Sequence, residues 1–509
     1  MKRSLFITFI LVCFTGSASA ATSTFFTEYQ AAASDQVENP YTALPDMPPE
    51  DRNAAPTLSG ISYEGAPEVA AYTGQVLVET ADDAASQSFN LTSGAEWTAL
   101  VNTSYTGDIN VQVIDTTSAA TVFGTIRSGK AGRITLEIAS TGKVAGASFN
   151  EQAASIAGSY DGGRADEFKV FVNGGSVTSD IVGGAINGSG SIGAVHLVVN
   201  SGTVGGSLLG GSNSKANGTV NAATITINGG IVNGSIIAGG NSGTVGNTDV
   251  VINGGSIGGN ITRGNATRSE GARATVTVAG NKAYIGGNIT ADEVTLRNVS
   301  ASGFSDGFDR YAGTITAEKL TLDNVQVDLK ATLSVSSIEL ISSSTSAELG
   351  ENCRLDTLSL GSGSTFSAHE STLTLTTLKA GTGAALNASI AFTAGASLIL
   401  NGALTMGSDV ALVSGMSLTL SESMLADLYG HKAVTLFTGV EKLTLDSADL
   451  ADGTTLSING VFSNLDSGAD YTLAYVDSMV RLAVIPEPAT ATLNLLALAA
   501  LATRRRRKY

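Results

Sequence analysis

Cysteine is almost absent from this chain of 509 residues, which has only Cys13 and Cys353. Cys13 falls in an N-terminal segment that we expect to be removed, so a disulfide within the mature chain is excluded. The fold must then be held by backbone hydrogen bonds and packed aliphatic side chains. We interpret Cys353 as a small apolar residue of a strand; a free reactive thiol and a bridge to another chain are the alternatives.

Aromatic residues make up 6% of the chain and charged residues 14%, whereas glycine occurs 60 times. So few aromatic side chains exclude a large aromatic core, and the apolar residues are mainly Ala, Val, Ile and Leu. Glycine at this density, without a collagen triplet, indicates either disorder or a repeat fold with many turns. Regularly placed β-branched residues favour the repeat fold.

Basic side chains are the scarcer of the two charged kinds. When Lys2, Arg3 and the five basic residues at 504–508 are set aside, 21 basic residues face 45 acidic ones. Such an acidic surface repels a phosphate backbone, so we expect no nucleic-acid partner.

The N-terminus has the three parts of a secretory signal peptide, which we place at residues 1–20. Lys2 and Arg3 precede an apolar run over residues 5–14, which is too short to span a bilayer. The small residues Ala18 and Ala20 form an A-x-A site, and we expect cleavage after Ala20. The pattern predicts export by the Sec machinery; a buried helix of the fold is the alternative.

Residues 21–74 hold six of the eight prolines and show no apolar periodicity. Proline removes a backbone donor and resists regular pairing, so we predict a flexible, disordered leader over this range. An extended arm bound to the rest of the fold is the alternative.

A repeated unit occupies residues 168–298: a strand, then Asn-Gly-Gly or a close variant, then a second short strand. Its anchors are residues 172, 199, 227, 252 and a degenerate 278, which are 25 to 28 residues apart. After each of the first four anchors a second element begins, at Asp180, Ser207, Ser235 and Asn260. Alternating strands with Gly/Asn corners predict an all-β fold, a right-handed parallel β-helix over residues 75–420. The recurrent Asn173, Asn200, Asn228 and Asn253 predict a stacked amide ladder inside a corner, with simple turn preference as the alternative.

Beyond residue 298 the strict repeat fades, but Leu-x-Leu-like triplets continue at spacings near twenty. They lie at residues 294–296, 320–322, 338–340, 358–360, 373–375, 398–400 and 418–420, and they predict shorter coils of the same solenoid. A helix over 422–429 with Ser421 as N-cap, together with strands near 434–437 and 471–475, predicts a C-terminal cap over residues 421–484.

The chain ends with Pro486, Glu487 and Pro488, an apolar run over 489–503, and the basic residues Arg504, Arg505, Arg506, Arg507 and Lys508. In this order, residues 485–509 resemble the PEP-CTERM sorting signal of Gram-negative bacteria. Gly/Asn-rich repeats that end in this signal are similar, more loosely, to autotransporter-type or adhesin-like surface proteins of Verrucomicrobia. The resemblance implies an exosortase that cuts near Pro486–Pro488 and passes the body of the chain to the cell surface.

The physical chemistry of this segment agrees with a temporary anchor. Fifteen apolar residues are few for a stable transmembrane helix, and the basic tail acts as a stop-transfer signal held on the cytoplasmic side. We therefore predict one short C-terminal transmembrane helix that holds the chain transiently in the inner membrane. A tail anchor that is never cleaved is the alternative.

Acidic residues at 306–311 (Asp-Gly-Phe-Asp-Arg-Tyr), followed by Asp323 and Asp328, come nearest to a catalytic group. Paired carboxylates serve glycosidases, but a solvated loop accounts for the same residues. His196, His369 and His431 lack metal-ligand spacing, and the glycine runs lack the ending of a phosphate loop. We predict no catalytic residue, no cofactor and no metal.

These observations together predict a non-enzymatic structural or adhesive protein of the cell envelope or extracellular matrix, with a surface polysaccharide as partner. The alternative is a carbohydrate-active β-helix enzyme, either a polysaccharide lyase or a glycosidase. Binding to ice or another crystalline lattice would need Thr-x-Thr at every coil, and the sequence shows no such regular rank.

Overall fold

Strands account for most of the chain. The computed structural model describes residues 107–113, 130–145, 156–159, 162–300, 313–350, 355–458, 461–465 and 470–485, except the side chains of 369–371. It also gives the backbone of strands 24–26, 72–79, 87–100, 120–122, 147–149 and 152–154. The protein is all-β, 65% strand with one helix in the part described, and parallel pairings predominate. The predicted all-β class is confirmed.

The first twenty strands are β1 (Thr24–Phe26), β2 (Tyr72–Glu79), β3 (Gln87–Leu100), β4 (Ile109–Val113), β5 (Ala120–Val122), β6 (Lys130–Ile138), β7 (Lys143–Ala145), β8 (Ala147–Phe149), β9 (Gln152–Ala154), β10 (Ile156–Ser159), β11 (Arg164–Val177), β12 (Ile181–Ala185), β13 (Ser191–Val204), β14 (Leu208–Leu209), β15 (Thr219–Ile227), β16 (Ile231–Val232), β17 (Ile236–Ile237), β18 (Thr244–Ile252), β19 (Gly255–Ile257) and β20 (Ile261–Thr262).

The next twenty are β21 (Thr267–Arg268), β22 (Ala274–Ala279), β23 (Ala283–Ile285), β24 (Ile289–Thr290), β25 (Glu293–Ser300), β26 (Thr314–Gln326), β27 (Thr332–Ile341), β28 (Ser344–Leu349), β29 (Thr357–Leu360), β30 (Thr365–Ala380), β31 (Ala385–Leu400), β32 (Leu404–Met406), β33 (Val410–Leu412), β34 (Ser417–Leu420), β35 (Ala433–Thr438), β36 (Leu443–Leu445), β37 (Ala448–Leu450), β38 (Thr454–Ser457), β39 (Asp470–Val476) and β40 (Met479–Ile485). The helix α1 (Glu422–Gly430) lies between β34 and β35.

The chain forms two compact units. The first runs through Val276 and takes in Lys282–Gly287, and the second comprises Thr277–Asn281 and the chain from Asn288 onward. The degenerate fifth anchor at residue 278 thus belongs to the second unit, where the backbone N–H of Gly280 donates to the carbonyl of Arg297.

Equivalent strands of successive repeats pair in parallel within the first unit. Val172 lies opposite Val199, Val199 opposite Ile227, and Ile227 opposite Ile252, which are the first four sequence anchors. The second elements pair in the same way, because β12, β14, β17 and β20 follow one another in register. The strands β4 and β6 precede β11 in the same parallel series.

The core of the first unit is built from alternate residues of each strand. In β11, Phe168, Val170 and Val172 are fully buried while their neighbours are not, as the two-residue period of a strand requires. Each fully buried side chain of this kind contributes about 1.5–3 kcal/mol. Some core positions have no room for a side chain: a methyl group on Gly158 would overlap the carbonyl oxygen of Gly183, and one on Gly210 that of Ala238.

Glycine is required at the corner after each anchor because the backbone turns into the left-handed region there. Gly202, Gly230 and Gly255 have φ of +90°, +78° and +84°, and a side chain at each would also meet the backbone of the preceding repeat. The predicted glycine corners are therefore confirmed.

Part of the range predicted as a disordered leader is in strands. Thr24–Phe26 pairs antiparallel with Leu77–Glu79, and β2 begins at Tyr72. The prediction does not hold for residues 24–26 and 72–74. Thr-Phe-Phe at 24–26 is strongly β-prone and precedes the first proline at Pro40, and residues 72–74 are the start of β2.

The second unit repeats with a shorter period. Leu358, Leu378, Leu398 and Leu418 lie opposite one another in turn, twenty residues apart. The prediction that the triplet at 373–375 belongs to this series is wrong. Leu373 and Leu375 lie opposite Ile390 and Phe392, which are at an earlier position of the repeat than Leu398. Two positions of one repeat share the same Leu-x-Leu pattern, so the pattern alone could not separate them.

An antiparallel sheet follows the parallel series of the second unit. Its order is β38, β39, β40, β35, and it begins after α1, whose N-cap Ser421 accepts from the backbone N–H of Met424 at 3.4 Å. The helix and its N-cap are as predicted. The hairpins β36–β37 and β39–β40 turn through Asp446–Ser447 and Asp477–Ser478, all four with positive φ, the conformation that tight hairpins favour.

Candidate functional site

A chain of side-chain amides runs along the first unit. Asn200 donates from Nδ2 to Asn173 Oδ1 at 2.7 Å, Asn228 to Asn200 at 2.7 Å, and Asn253 to Asn228 at 2.8 Å. The predicted amide ladder is confirmed, but it lies at the surface: Asn200, Asn228 and Asn253 are exposed. Each amide therefore keeps a second N–H for water or a ligand.

The ladder ends on a carboxylate. Asn173 donates from Nδ2 to Glu137 Oε1 at 2.8 Å, and Gln112 donates from the opposite side to Glu137 Oε2 at 3.1 Å. Hydrogen bonds to an ionised acceptor are stronger than those between neutral groups. The negative charge of Glu137 thus lies at the end of the ladder toward which the bonded amide N–H groups point.

A second ladder follows the corner before each second element. Asp180 Oδ1 accepts from the backbone N–H of Ser207 at 2.6 Å, Ser207 Oγ accepts from that of Ser235 at 3.0 Å, and Ser235 Oγ from that of Asn260 at 3.0 Å. Burial raises the pKa of Asp180 above its ordinary value, and the hydrogen bond from Ser207 offsets only part of this effect.

Charged side chains gather around Glu167 on the outer face of the first unit. Arg133 Nε lies 2.5 Å from Glu167 Oε2, while Lys169 Nζ and His196 Nε2 lie 2.8 Å and 3.2 Å from Oε1. Partial burial would raise the pKa of Glu167, but hydrogen bonds from Lys169 and Arg133 outweigh it and the pKa lies below its usual value. His196 thus lies within hydrogen-bond distance of a carboxylate that also binds Arg133 and Lys169.

The second unit has polar columns of its own. Asn324 donates from Nδ2 to Asn298 Oδ1 at 2.9 Å, and both have positive φ, a conformation that Asn tolerates better than most residues. Five hydroxyl residues line up on the outer face, Ser337, Thr357, Thr377, Ser397 and Ser417. The adjacent column carries Glu339, Ser359, Lys379, Ile399 and Thr419, so these repeats do not present paired threonines.

The end of the antiparallel sheet brings together residues that are far apart in sequence. Tyr429, in the last turn of α1, lies with its hydroxyl 3.3 Å from that of Tyr471, and Tyr471 pairs with Val484. The backbone N–H of Val484 donates to the carbonyl of Lys432 at 3.1 Å. We call Tyr429, Lys432 and Ile485 the terminal patch; Tyr429 and Ile485 are 48% and 42% exposed.

The residues predicted for processing lie outside the described part of the chain. These are Ala18 and Ala20, the motif Pro486, Glu487 and Pro488, and the tail Arg504, Arg505, Arg506, Arg507 and Lys508. Residues 306–311, Cys353 and the side chain of His369 also lie outside it. Of the acidic residues that follow, Asp328 accepts from Ser346 Oγ at 2.6 Å and Asp323 lies in β26 opposite Ile341.

Among the described residues, no helix has the length and apolar character needed to cross a bilayer. The predicted transmembrane segment 489–503 is not among them. Within the same residues, no group of three or more His, Cys, Asp or Glu side chains is placed to hold a metal ion.

Several of these groups were missed in the sequence. The Glu167 network joins residues 34 apart and depends on the register of β6 and β11. The contact of Tyr429 with Tyr471 spans 42 residues between a helix and a strand. The Asp180 ladder does have a signal in the sequence, because its four members begin the second elements of successive repeats.

Searches with protein-family models, among curated proteins and among solved structures find no match for this chain.

Proposed function

We propose that this protein is an exported, non-enzymatic β-solenoid that serves as a structural or adhesive element of a bacterial cell surface. Its body would be a right-handed parallel β-helix. The observation that carries the proposal is the in-register parallel pairing of equivalent strands from repeat to repeat. Such pairing buries one side of every strand and leaves columns of outward side chains, a regular surface on which many weak polar contacts can add up.

The outward columns support adhesion to a surface polysaccharide. Exposed amides at Asn200, Asn228 and Asn253 recur at the spacing of paired strands, about 4.8 Å. Amide and hydroxyl groups both donate and accept hydrogen bonds, as sugar hydroxyls do. A neutral partner also suits a chain with a net charge of −17.

The two ends of the sequence support the route to the surface. Residues 1–20 would direct the chain to the Sec machinery, and residues 489–503 would hold it in the inner membrane with Arg504–Lys508 in the cytoplasm. An exosortase-type enzyme would then cut near Pro486–Pro488 and release the body for attachment.

Mass spectrometry of the C-terminus of surface-exposed protein in the native host tests this route. We expect surface copies to end near Pro486–Pro488 and to lack the six-residue tail from Arg504 to Tyr509. Replacing Pro486 and Pro488 by Ala should leave the tail in place and the protein in the membrane fraction, whereas the matched change Pro67→Ala should not. An intact tail on all surface copies would overturn the proposal.

Activity measurements separate this proposal from the carbohydrate-active alternative. Purified protein should not turn over any polysaccharide in a broad panel. Turnover that disappears in Asp306→Ala or Asp309→Ala would replace the structural function by an enzymatic one.

A further inference from the structure

We propose that the terminal patch rests on the lipid surface of the membrane in which residues 489–503 are inserted. This inference depends on the proposed membrane anchor and adds the surface of the fold that faces the bilayer. It concerns Tyr429, Lys432 and Ile485, which the contacts of α1 with β39 and β40 bring to one end of the antiparallel sheet.

Chain length sets how far this patch can be from the membrane. The last strand pair of the fold joins Asp470 to Ile485, and only residues 486, 487 and 488 lie between Ile485 and the apolar run. Fully extended, three residues span about 10 Å. While the run is inserted, Ile485 is therefore held within about that distance of the place where the chain enters the hydrocarbon.

The side chains of the patch suit the interface between lipid and water. Tyr429 and Ile485 are among the large apolar residues that the fold leaves exposed, and tyrosine favours the headgroup level because its ring is apolar and its hydroxyl is polar. Tyr429 keeps its hydroxyl near that of Tyr471 and does not bury its ring. Both residues lie at the end of the sheet where the chain leaves the fold, Tyr429 on the side of Tyr471 and Val484, and Ile485 on the other side.

Acidic and basic side chains both lie around the patch, so the contact should not depend on anionic lipid. Lys432 and His431 are exposed, and His431 Nδ1 lies 3.2 Å from Asp427 Oδ1. Asp470, which pairs with Ile485, is also exposed. With acidic and basic groups offsetting one another, apolar contact with a zwitterionic bilayer is the interaction that the patch favours.

Tryptophan fluorescence can locate the patch, because Trp97 is the chain's single tryptophan. The probe is the full chain with Trp97→Phe and Tyr429→Trp, reconstituted in zwitterionic vesicles that contain lipid brominated near the headgroups. We expect the emission of this variant to lose most of its intensity. The matched control, Trp97→Phe with Ile341→Trp, places tryptophan at another exposed apolar position of the second unit, on β27, which several strands separate from β40, and should lose little.

A second probe, Trp97→Phe with Ile485→Trp, tests the same patch without altering α1. Vesicle flotation separates the two proposals. Protein that floats with the vesicles but is quenched no more than the Ile341→Trp control overturns the patch and leaves the anchor intact. Protein that fails to float overturns the anchor, and the patch with it.

A flexible linker tests the role of the short connection. About 12 Gly and Ser residues inserted between Ile485 and Pro486 extend the connection by roughly 20 Å. Quenching of the Tyr429→Trp variant should fall toward the control level while flotation persists. If the Tyr429→Trp variant with the linker is quenched as strongly as without it, the short connection is not the reason that the patch contacts the membrane.

Discussion

Asp180 differs from the other members of its ladder, because Ser207, Ser235 and Asn260 are neutral and Asp180 is ionisable. Burial raises the pKa of Asp180 in the folded chain, so folding favours the protonated form. The stabilisation that this shift provides is fully present below the pKa of the unfolded chain and is lost as pH rises through the folded pKa. At neutral pH the ladder therefore begins with a carboxylate that folding disfavours.

We expect Asp180→Asn to stabilise the protein at pH 7. The new side-chain oxygen still accepts the N–H of Ser207, and the charge is gone; allowing for solvent screening, the gain is about 0.5 kcal/mol. The gain should shrink as pH falls through the raised pKa of Asp180 in the folded chain, and it should be gone below the ordinary value of 3.8 for Asp. Urea denaturation at several pH values measures it.

Asp166→Asn is the matched control for this prediction. Asp166 is an exposed carboxylate 2.8 Å from Lys130 Nζ, and its replacement should not stabilise the fold. If the Asp180→Asn variant is less stable than the parent protein at pH 7, the charged carboxylate of Asp180 stabilises the fold and the prediction is wrong.

The amide ladder joins successive repeats through side chains, in addition to the pairing of their strands. Asn228 takes part in two side-chain bonds of the ladder, one to Asn200 and one from Asn253, whereas Asn253 takes part in one. Their backbone N–H groups donate to the preceding repeat in both cases and do not depend on the side chains. The two positions therefore differ in the number of rungs that a truncation removes.

We expect Asn228→Ala to destabilise the fold by about 1 kcal/mol and Asn253→Ala by about half as much, since exposed hydrogen bonds lie at the lower end of the usual range. Shifts in the urea midpoint measure both changes, and each variant is the control for the other. Equal losses, or a larger loss at Asn253, would mean that the rungs do not add along the ladder.

Sequence periodicity was sufficient where one motif marks one strand position. The anchors aligned β11, β13, β15 and β18 correctly because Val or Ile followed by Asn-x-Gly occurs once in each of these four repeats. Periodicity was insufficient where two strand positions share a pattern, as at 373–375. It was also insufficient where a polar residue occupies a strand position that faces the core. Thr248 is an example: it lies in the inward column of Val195 and Ala223, and its buried hydroxyl lacks a hydrogen-bond partner.

At the scale of the whole molecule, the last described strand ends at Ile485, directly before the proposed sorting motif. The strand β40 lies between β35 and β39, and its last pair is Ile485 with Asp470. We therefore expect a chain that ends at Ile485 to unfold at the same temperature as the full chain, within about 2 °C, whereas a chain that ends at Val476 should lose its cap and aggregate. Circular dichroism and light scattering during heating measure both outcomes.

If the chain ending at Ile485 were markedly less stable, residues beyond it would belong to the fold and not to a removable signal. Equal stability of both truncated chains would instead show that β40 is dispensable.

The bonds of the two ladders in the first unit share one direction. Each later asparagine donates to an earlier one, and each later backbone N–H donates to an earlier Asp or Ser, always across 25 to 28 residues. A chain that emerges from a pore N-terminus first thus presents each ladder acceptor before its donor. Each ladder bond closes a loop of about one repeat, which costs less entropy than closing a longer one. The two ladders can therefore form one repeat at a time, in the order in which the repeats emerge.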